Sequence, residues 1–176
     1  MNSWWTSNRI AALLLVFVVV LLQLLIAFQG FDICDEGLSL TFFQQFYNAP
    51  ESVEYNFVYW FSGLIGGLWY EMYENGGILW FRFFTIIINM ATFFVAYNLL
   101  VKYVNKWHAL IGLTMVLFIN DYGYLAFYHN HLTALLSICA IYALHQGLVN
   151  NKLKLITLSG CIVAINVFTR LPNATF

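Results

Sequence analysis

Long apolar runs separated by short polar junctions dominate the pattern of this chain. The first run, Ile10–Phe28, is broken only by Gln23. A helix rises about 1.5 Å per residue, so this run is long enough to cross a hydrocarbon core of roughly 30 Å. No small-residue cleavage site follows it. We therefore predict an uncleaved membrane anchor over residues 10–28.

Four further apolar runs predict membrane-spanning helices. The predicted spans cover residues 78–101, 109–128, 132–149 and 153–169. Ala109–Ile119 is too short to cross by itself, so we expect the third of the five helices to continue through Asp121 to Tyr128. With the first run, these spans predict an all-α polytopic membrane protein in which the whole chain forms one membrane domain.

The segment 31–76, between the first two spans, has a helical pattern of its own. Apolar side chains recur every four residues from Leu38 to Phe46, which predicts an amphipathic helix that ends at Asn48–Pro50. The next apolar stretch, Phe57–Tyr70, is too short to span comfortably, so we expect an interfacial or re-entrant helix. Glycines in this stretch predict close helix packing. They are Gly63, Gly66 and Gly67.

Composition supports the membrane assignment. Hydrophobic residues make up 62% of the chain and charged residues only 9%, which is too little polar material to cover a water-facing globule. A net charge of -1 leaves no basic surface for the phosphates of a nucleic acid, so we exclude nucleic-acid binding. The 3 cysteines are odd in number and do not predict a disulfide framework.

The placement of Lys and Arg predicts the orientation in the membrane. Cations occupy alternate junctions, at Arg9, at Lys102 and Lys106, and at Lys152 and Lys154. Because cations near the ends of spans are retained in the cytoplasm, the amino terminus is predicted to be cytoplasmic. All 8 Asp and Glu residues then fall on the external side. We expect an integral membrane protein, with a bacterial inner membrane as its location.

Three acids, Asp32, Asp35 and Glu36, directly follow the first span. In a helix they occupy positions i, i+3 and i+4, which places the carboxylates on one face at the membrane boundary. Crowded carboxylates near a desolvating surface hold protons more readily, which suits a general base for group transfer. The alternative is a solvated acidic cap that only follows the orientation rule.

Two arginines lie near the predicted external ends of spans. Arg82 is about one turn inside the second span, where a guanidinium must meet an anion or extend to the interface. It is predicted to pair with the acidic cluster or to bind the phosphate of a lipid-linked substrate. Arg170, at the outer end of the fifth span, has the same alternatives.

The segment Asp121–His131 places one acid and two histidines near the external ends of the third and fourth spans. Asp121, His129 and His131, together with Asp32, are candidates for polar contacts with a donor or an acceptor. A divalent metal is the alternative ligand, since His and carboxylate groups suit several metals. However, His129 and His131 at i and i+2 point to different sides of a helix, so we assign no metal ligands.

These features resemble the membrane glycosyltransferases of the GT-C class, in particular the protein mannosyltransferase and aminoarabinose transferase group. The similarity lies in the acidic pair Asp35–Glu36 after the first span, the long external loop, Arg82 at the start of the next span, and the segment Arg170–Asn173. It covers the chain as an amino-terminal portion of such an enzyme, since members of the family have more spans.

The resemblance implies transfer of a sugar from a polyprenyl-phosphate carrier to a hydroxyl or amine of a glycan, lipid or protein at the external face. It makes Asp35 the general base, with Glu36 orienting that base or the acceptor. Arg82 becomes the partner of the acids or of the donor phosphate. The lipid-linked sugar is a substrate and no cofactor is required, although a divalent metal stays an alternative.

Two other classes of protein fit the same sequence. A noncatalytic integral membrane subunit would use the acids only for topology and Arg82 for helix association. A channel or carrier would need polar residues deep in several spans, and these are sparse. Because the chain ends beside its fifth predicted span without a polar tail, we also expect a piece of a longer protein.

Overall fold

The computed structural model describes residues 2–30, 35–121 and 125–175, with their side chains except those of residues 2–12, 35, 120, 121 and 175. This part of the chain is helical and contains no strand, which confirms the predicted all-α class. The helices are α1 (Asn2–Ile26), α2 (Asp35–Gln45), α3 (Trp60–Met72), α4 (Gly77–Leu100), α5 (Lys106–Asp121), α6 (His129–Val149) and α7 (Leu153–Thr169). Short 3-10 helices cover Pro50–Ser52, Glu54–Tyr59, Glu74–Gly76 and Leu171–Thr175.

Two helices in the described chain are long and apolar enough to cross a membrane. They are Glu74–Leu100, with 27 residues, and His129–Val149, with 21 residues. Three further helical segments are apolar but shorter, namely Leu13–Ile26, Lys106–Ile119 and Leu153–Thr169. A helix therefore lies at each position where the sequence predicts a span, while the crossing of all five stays a prediction.

The predicted third span is wrong at its carboxyl end. Helix α5 ends at Asp121 and does not continue to Tyr128. Phe127 is only 1% exposed, and its ring lies 5.2 Å from that of Phe43 and 4.7 Å from that of Phe84. Packing of Phe127 in the core therefore stabilises an irregular chain before α6.

Helices α2 and α3 pack closely because glycines of α3 face aromatic rings of α2 and of the residue that follows it, Phe46. A methyl group at Gly63 would overlap the rings of Phe42 and Phe46, and one at Gly66 would overlap the ring of Phe43. The three phenylalanines are buried in the core. This contact confirms the predicted close packing at the glycines. Of the predicted apolar stripe it buries the three phenylalanines, whereas Leu38 and Tyr47 are exposed.

Helices α3 and α4 are joined by a reciprocal pair of tryptophans. The indole N–H of Trp69 donates to the backbone oxygen of Trp80 at 3.0 Å, and the indole N–H of Trp80 donates to the backbone oxygen of Trp69 at 2.8 Å. The two rings stack with centroids 4.2 Å apart. Both polar indole groups are thus satisfied inside an aromatic contact, which fixes the α3–α4 connection.

Contacts between helix ends fall into two groups. One group joins the end of α1, the starts of α4 and α6, the end of α7 and the short helices of segment 31–76. Its contacts are Arg82–Ala27, Tyr59–His129, Ser62–Thr169 and Arg170–Asn130. This end of the molecule, which we call the acidic end, carries Glu36, Glu51, Glu54, Glu71 and Glu74.

The second group joins the end of α4, the start of α5, the end of α6 and the start of α7. Tyr103 is hydrogen-bonded to His145, and the Nζ of Lys102 lies 5.1 Å from the ring centroid of Tyr142. All described lysines, at positions 102, 106, 152 and 154, belong to this end. The helices therefore run up and down between an acidic end and a basic end.

Candidate functional site

Arg82 of α4 organises the junction between α1 and α2. Its Nη2 lies 3.3 Å from Oε2 of Glu36 in the first turn of α2. Its Nη1 donates to the carbonyl oxygens of Ala27 and Gln29 at 2.7 Å each, and its Nη2 donates to the carbonyl oxygen of Gly30 at 2.5 Å. These carbonyls follow the carboxyl end of α1, where the backbone no longer continues the helical hydrogen bonds, and the guanidinium supplies donors to them.

These contacts show Arg82 paired with an acid, which is one of the two roles that the sequence leaves open for it. Arg82 is 2% exposed and Glu36 is 3% exposed. The four N–H groups of the two Nη atoms meet three carbonyl oxygens and one carboxylate. A phosphate would reach this guanidinium only by displacing those groups. The structure thus uses Arg82 for acid pairing and for joining α1 to α2.

Asp35 is the first residue of α2, next to Glu36. Its side chain lies outside the described part of the structure, as do Asp32 and the side chain of Asp121. The predicted grouping of three carboxylates on one face therefore stays a prediction. The backbone places Asp35 one helical turn before Leu38 and Ser39.

A pocket of about 140 Å³ opens beside this turn of α2. Leu38 and Ser39 contribute to one wall, and the other walls come from the 3-10 helix Glu54–Tyr59, from α3 and from the start of α6. Polar lining comes from Ser39, Asn56 and Ser62, and aromatic lining includes Tyr59, Tyr128 and His129. Sequence reasoning missed this pocket, because its walls come from four separate segments of the chain.

His129 supplies an aromatic wall of the pocket. Its ring stacks on that of Tyr59, with centroids 3.9 Å apart and planes 8° from parallel. The ring of Tyr128 lies 3.8 Å away on the same chain segment. His129 is 5% exposed, so the three rings form a rigid surface that packing holds in place.

His131 lies on the other side of α6, as its spacing from His129 predicts. It lines a second pocket of about 120 Å³ between α4, α5 and α6. Asn89 and Thr92 of α4 line the same pocket. The two histidines therefore face different spaces. Among the described residues no group of three or more His, Cys, Asp or Glu side chains could hold a metal ion.

Arg170 and the residues after it fold back onto α6 and α7. The Nη1 of Arg170 donates to Oδ1 of Asn130 at 3.3 Å, which holds this partly buried cation beside the start of α6. Asn173 is 5% exposed, and its Nδ2 donates to Oγ1 of Thr133 at 3.1 Å and to the backbone oxygen of Asn166 at 3.0 Å. The segment Arg170–Asn173 is thus tied to the acidic end of the molecule.

Comparison with known proteins adds no relative. No protein-family model matches the chain, and searches of curated proteins and of solved structures find no match. The resemblance to GT-C glycosyltransferases accordingly stays a prediction from short motifs. The function has to be inferred from the residues around α2 and the adjoining pocket.

Proposed function

We propose that the chain is the membrane-embedded part of a polytopic enzyme that transfers a sugar from a polyprenyl-phosphate donor to an acceptor hydroxyl or amine at the external face. One observation carries this proposal. The buried Arg82–Glu36 pair fixes the start of α2, and so places Asp35 at the beginning of a helix that lines a pocket with polar and aromatic walls. The motif resemblance independently selects Asp35 as the base.

The separation of charge supports a membrane-spanning arrangement. Described glutamates lie at the acidic end and described lysines at the opposite end, as expected for a chain with its lysines in the cytoplasm. Between the two ends, the outer faces of the helices are apolar. Phe17 of α1 is 64% exposed, Phe94 of α4 is 66% exposed and Ile119 of α5 is 81% exposed. Lipid chains would cover these side chains at little cost, whereas water would not.

In the proposed reaction, the acceptor oxygen or nitrogen attacks the anomeric carbon of the sugar. The Asp35 carboxylate takes the proton of the acceptor while the new bond to the anomeric carbon forms. The bond from that carbon to the phosphate oxygen breaks, and the polyprenyl phosphate leaves with its electron pair. A phosphate is a stable anion, so no acid has to protonate it as it departs.

Positive charge is needed where the phosphate leaves, and the two arginines differ in their ability to supply it. The terminal N–H groups of Arg82 are engaged inside the protein. Arg170 has a single hydrogen bond, to Asn130, among the described residues and is only partly buried. We therefore assign phosphate binding to Arg170 and a positioning role to Arg82 and Glu36.

Sugar transfer by an Asp35→Asn variant tests this function. Membranes that contain the chain in its full reading frame would be given a series of radiolabelled polyprenyl-phosphate sugars, and label in endogenous acceptors would be counted. We expect transfer by the wild type and a loss of at least about 100-fold in Asp35→Asn, since a general base contributes on that order. Glu51→Gln, which changes an exposed acid of the same loop, is the matched control and keeps activity. Equal transfer by Asp35→Asn and the wild type, at equal abundance, refutes the proposal.

A noncatalytic membrane subunit is the second candidate. One observation favours it: all terminal N–H groups of Arg82 bind groups of the chain itself. These bonds stabilise helix association without any substrate. In such a subunit Asp35→Asn would be silent, and only changes at Arg82 or Glu36 would have an effect, through lower abundance in the membrane. The transfer experiment therefore separates the two candidates.

A further inference from the structure

Asn56 is buried in the pocket beside α2 without a hydrogen-bond partner for its side chain. It is 8% exposed and contributes to the pocket lining. Its backbone N–H donates to the carbonyl oxygen of Val53 at 2.9 Å. Its side-chain amide makes no hydrogen bond to another described residue and is not among the fully buried atoms, so it faces the space of the pocket. An amide that faces a pocket offers a donor and an acceptor to an occupant, so this group is suited to bind a ligand there.

Two serines add polar groups to the same pocket. The hydroxyl of Ser62, which is 1% exposed, donates to the backbone oxygen of Thr169 at 3.2 Å. A hydroxyl that donates once still accepts, so Ser62 offers an acceptor to a ligand. Ser39 brings a further hydroxyl from α2. Donors and acceptors thus come from α2, from α3 and from the 3-10 helix that carries Asn56.

Aromatic rings form much of the remaining lining. The stacked pair of Tyr59 and His129 lies on one side, and Phe42 and Phe43, with ring centroids 5.7 Å apart, lie on another. The pocket volume of about 140 Å³ is close to the roughly 150 Å³ of a protein cavity that binds benzene, a six-membered ring. The space therefore suits one six-membered ring with an apolar face and a polar rim.

We infer that this pocket holds one pyranose ring of the donor or acceptor sugar, with Asn56 bound to its hydroxyl groups. The apolar C–H face of a pyranose fits against aromatic rings, and its hydroxyls satisfy the amide. The described lining contains no lysine, arginine or carboxylate, which favours a neutral hydroxylated ligand over a phosphate. The choice of a sugar rests on the proposed function, whereas the position of the site rests on Asn56 and its neighbours.

Binding of simple glycosides tests this assignment. The full chain would be prepared in phosphatidylcholine nanodiscs without glycosidic detergent. Saturation-transfer NMR would then measure the binding of methyl glycosides of mannose, glucose, galactose and 4-amino-4-deoxyarabinose. We expect at least one of them to bind the wild type. Asn56→Leu should weaken that binding by roughly tenfold or more, because a lost hydrogen bond to a buried amide has about this effect.

Stability separates loss of the site from loss of the fold. Asn56→Leu keeps a similar side-chain shape and removes an unpaired amide, so its melting temperature should equal or exceed that of the wild type. If Asn56→Leu does not fold, Asn56→Ala provides the same comparison with a smaller side chain. Asn75→Leu is the matched control, because Asn75 is exposed in the 3-10 helix Glu74–Gly76, and it should bind like the wild type.

Two results would overturn the assignment. One is the absence of binding to the wild type by all four glycosides, and the other is equal binding by the wild type and by the folded Asn56 variant. Failure of the proposed function gives a different result, namely glycoside binding that depends on Asn56 together with sugar transfer that does not depend on Asp35.

Discussion

Arg82 and Glu36 form an ion pair in the interior of the protein, with Nη2 and Oε2 3.3 Å apart. The two residues belong to α4 and α2, and the same guanidinium also binds three carbonyl oxygens just beyond α1. A single side chain thus joins three segments at the acidic end of the molecule. We regard this joint as the structural basis of the candidate site, because it sets where α2 begins.

Loss of Arg82 should destabilise the protein strongly. Arg82→Leu removes the cation paired with the buried Glu36 carboxylate and the donor to three carbonyls, which should lower the free energy of unfolding by about 3–5 kcal/mol. Thermal unfolding in nanodiscs, followed by near-ultraviolet circular dichroism, measures the change. Arg170→Leu is the matched control, since Arg170 is less buried and has one hydrogen bond among the described residues, and it should cost about 1 kcal/mol.

The double variant Arg82→Leu/Glu36→Leu separates the cost of an unpaired charge from the value of the pair. Replacing both partners removes the buried carboxylate together with its cation, so the double variant should be more stable than Arg82→Leu alone. Equal stability of Arg82→Leu and the wild type would show that the guanidinium does not hold the junction together.

Close packing of α2 on α3 should make Gly66 intolerant of a side chain. The methyl group of Gly66→Ala would overlap the buried ring of Phe43, and overpacking of this kind costs about 1–3 kcal/mol. Gly160→Ala on α7 is the control, because nothing lies within 4 Å of the added carbon. The Gly160→Ala control should leave the free energy of unfolding unchanged or raise it by up to about 1 kcal/mol, because alanine has the higher helix propensity. A Gly66→Ala protein as stable as the Gly160→Ala protein would contradict the packing described here.

Tyr47 should make stability depend on pH in alkaline solution. Partial burial of the side chain, which is 44% exposed, and in addition the negative charge of Glu71 raise the pKa of Tyr47 above its usual value. Its hydroxyl also donates to the backbone oxygen of Leu64 at 3.1 Å. Because the folded state favours the protonated phenol, this contribution is complete below the unfolded pKa of about 10 and is lost as the pH rises through the folded pKa.

Denaturation midpoints across that alkaline range test the role of Tyr47. Tyr47→Phe should be less stable than the wild type below pH 10, and the difference should shrink above it. Tyr55→Phe, at a residue that is 60% exposed, should leave the dependence unchanged. A difference between Tyr47→Phe and the wild type that stays constant with pH would contradict the assignment.

Local features of the sequence predicted the helices and the aromatic stripe of α2. Long apolar runs and a repeat every four residues act within one element, so Ile10–Phe28 and Leu38–Phe46 could be recognised without tertiary information. The partner of Arg82 could be narrowed to an acid or a phosphate for a similar reason, since a buried guanidinium requires an anion. Choosing between them required the position of Glu36 in space.

The features that the sequence did not reveal depend on distant contacts. The end of α5 was predicted too late because Phe127 packs on Phe43 and Phe84, which lie on other elements. The pocket around Asn56 was not predicted because its walls come from four segments that are distant in the sequence. Nothing in the pattern around Asn56 signals that its amide faces a pocket, and only its placement in the fold does so.

The account depends most on the external position of the α1–α2 junction, and cysteine labelling tests this position directly. In a chain whose three native cysteines, at positions 34, 139 and 161, are replaced by alanine, Asn75→Cys would mark the acidic end and Asn150→Cys the basic end. Both asparagines are exposed. We predict that a membrane-impermeant maleimide labels Asn75→Cys in intact cells or spheroplasts and labels Asn150→Cys only after permeabilisation. Labelling of Asn150→Cys in intact cells, with Asn75→Cys protected, would contradict the account.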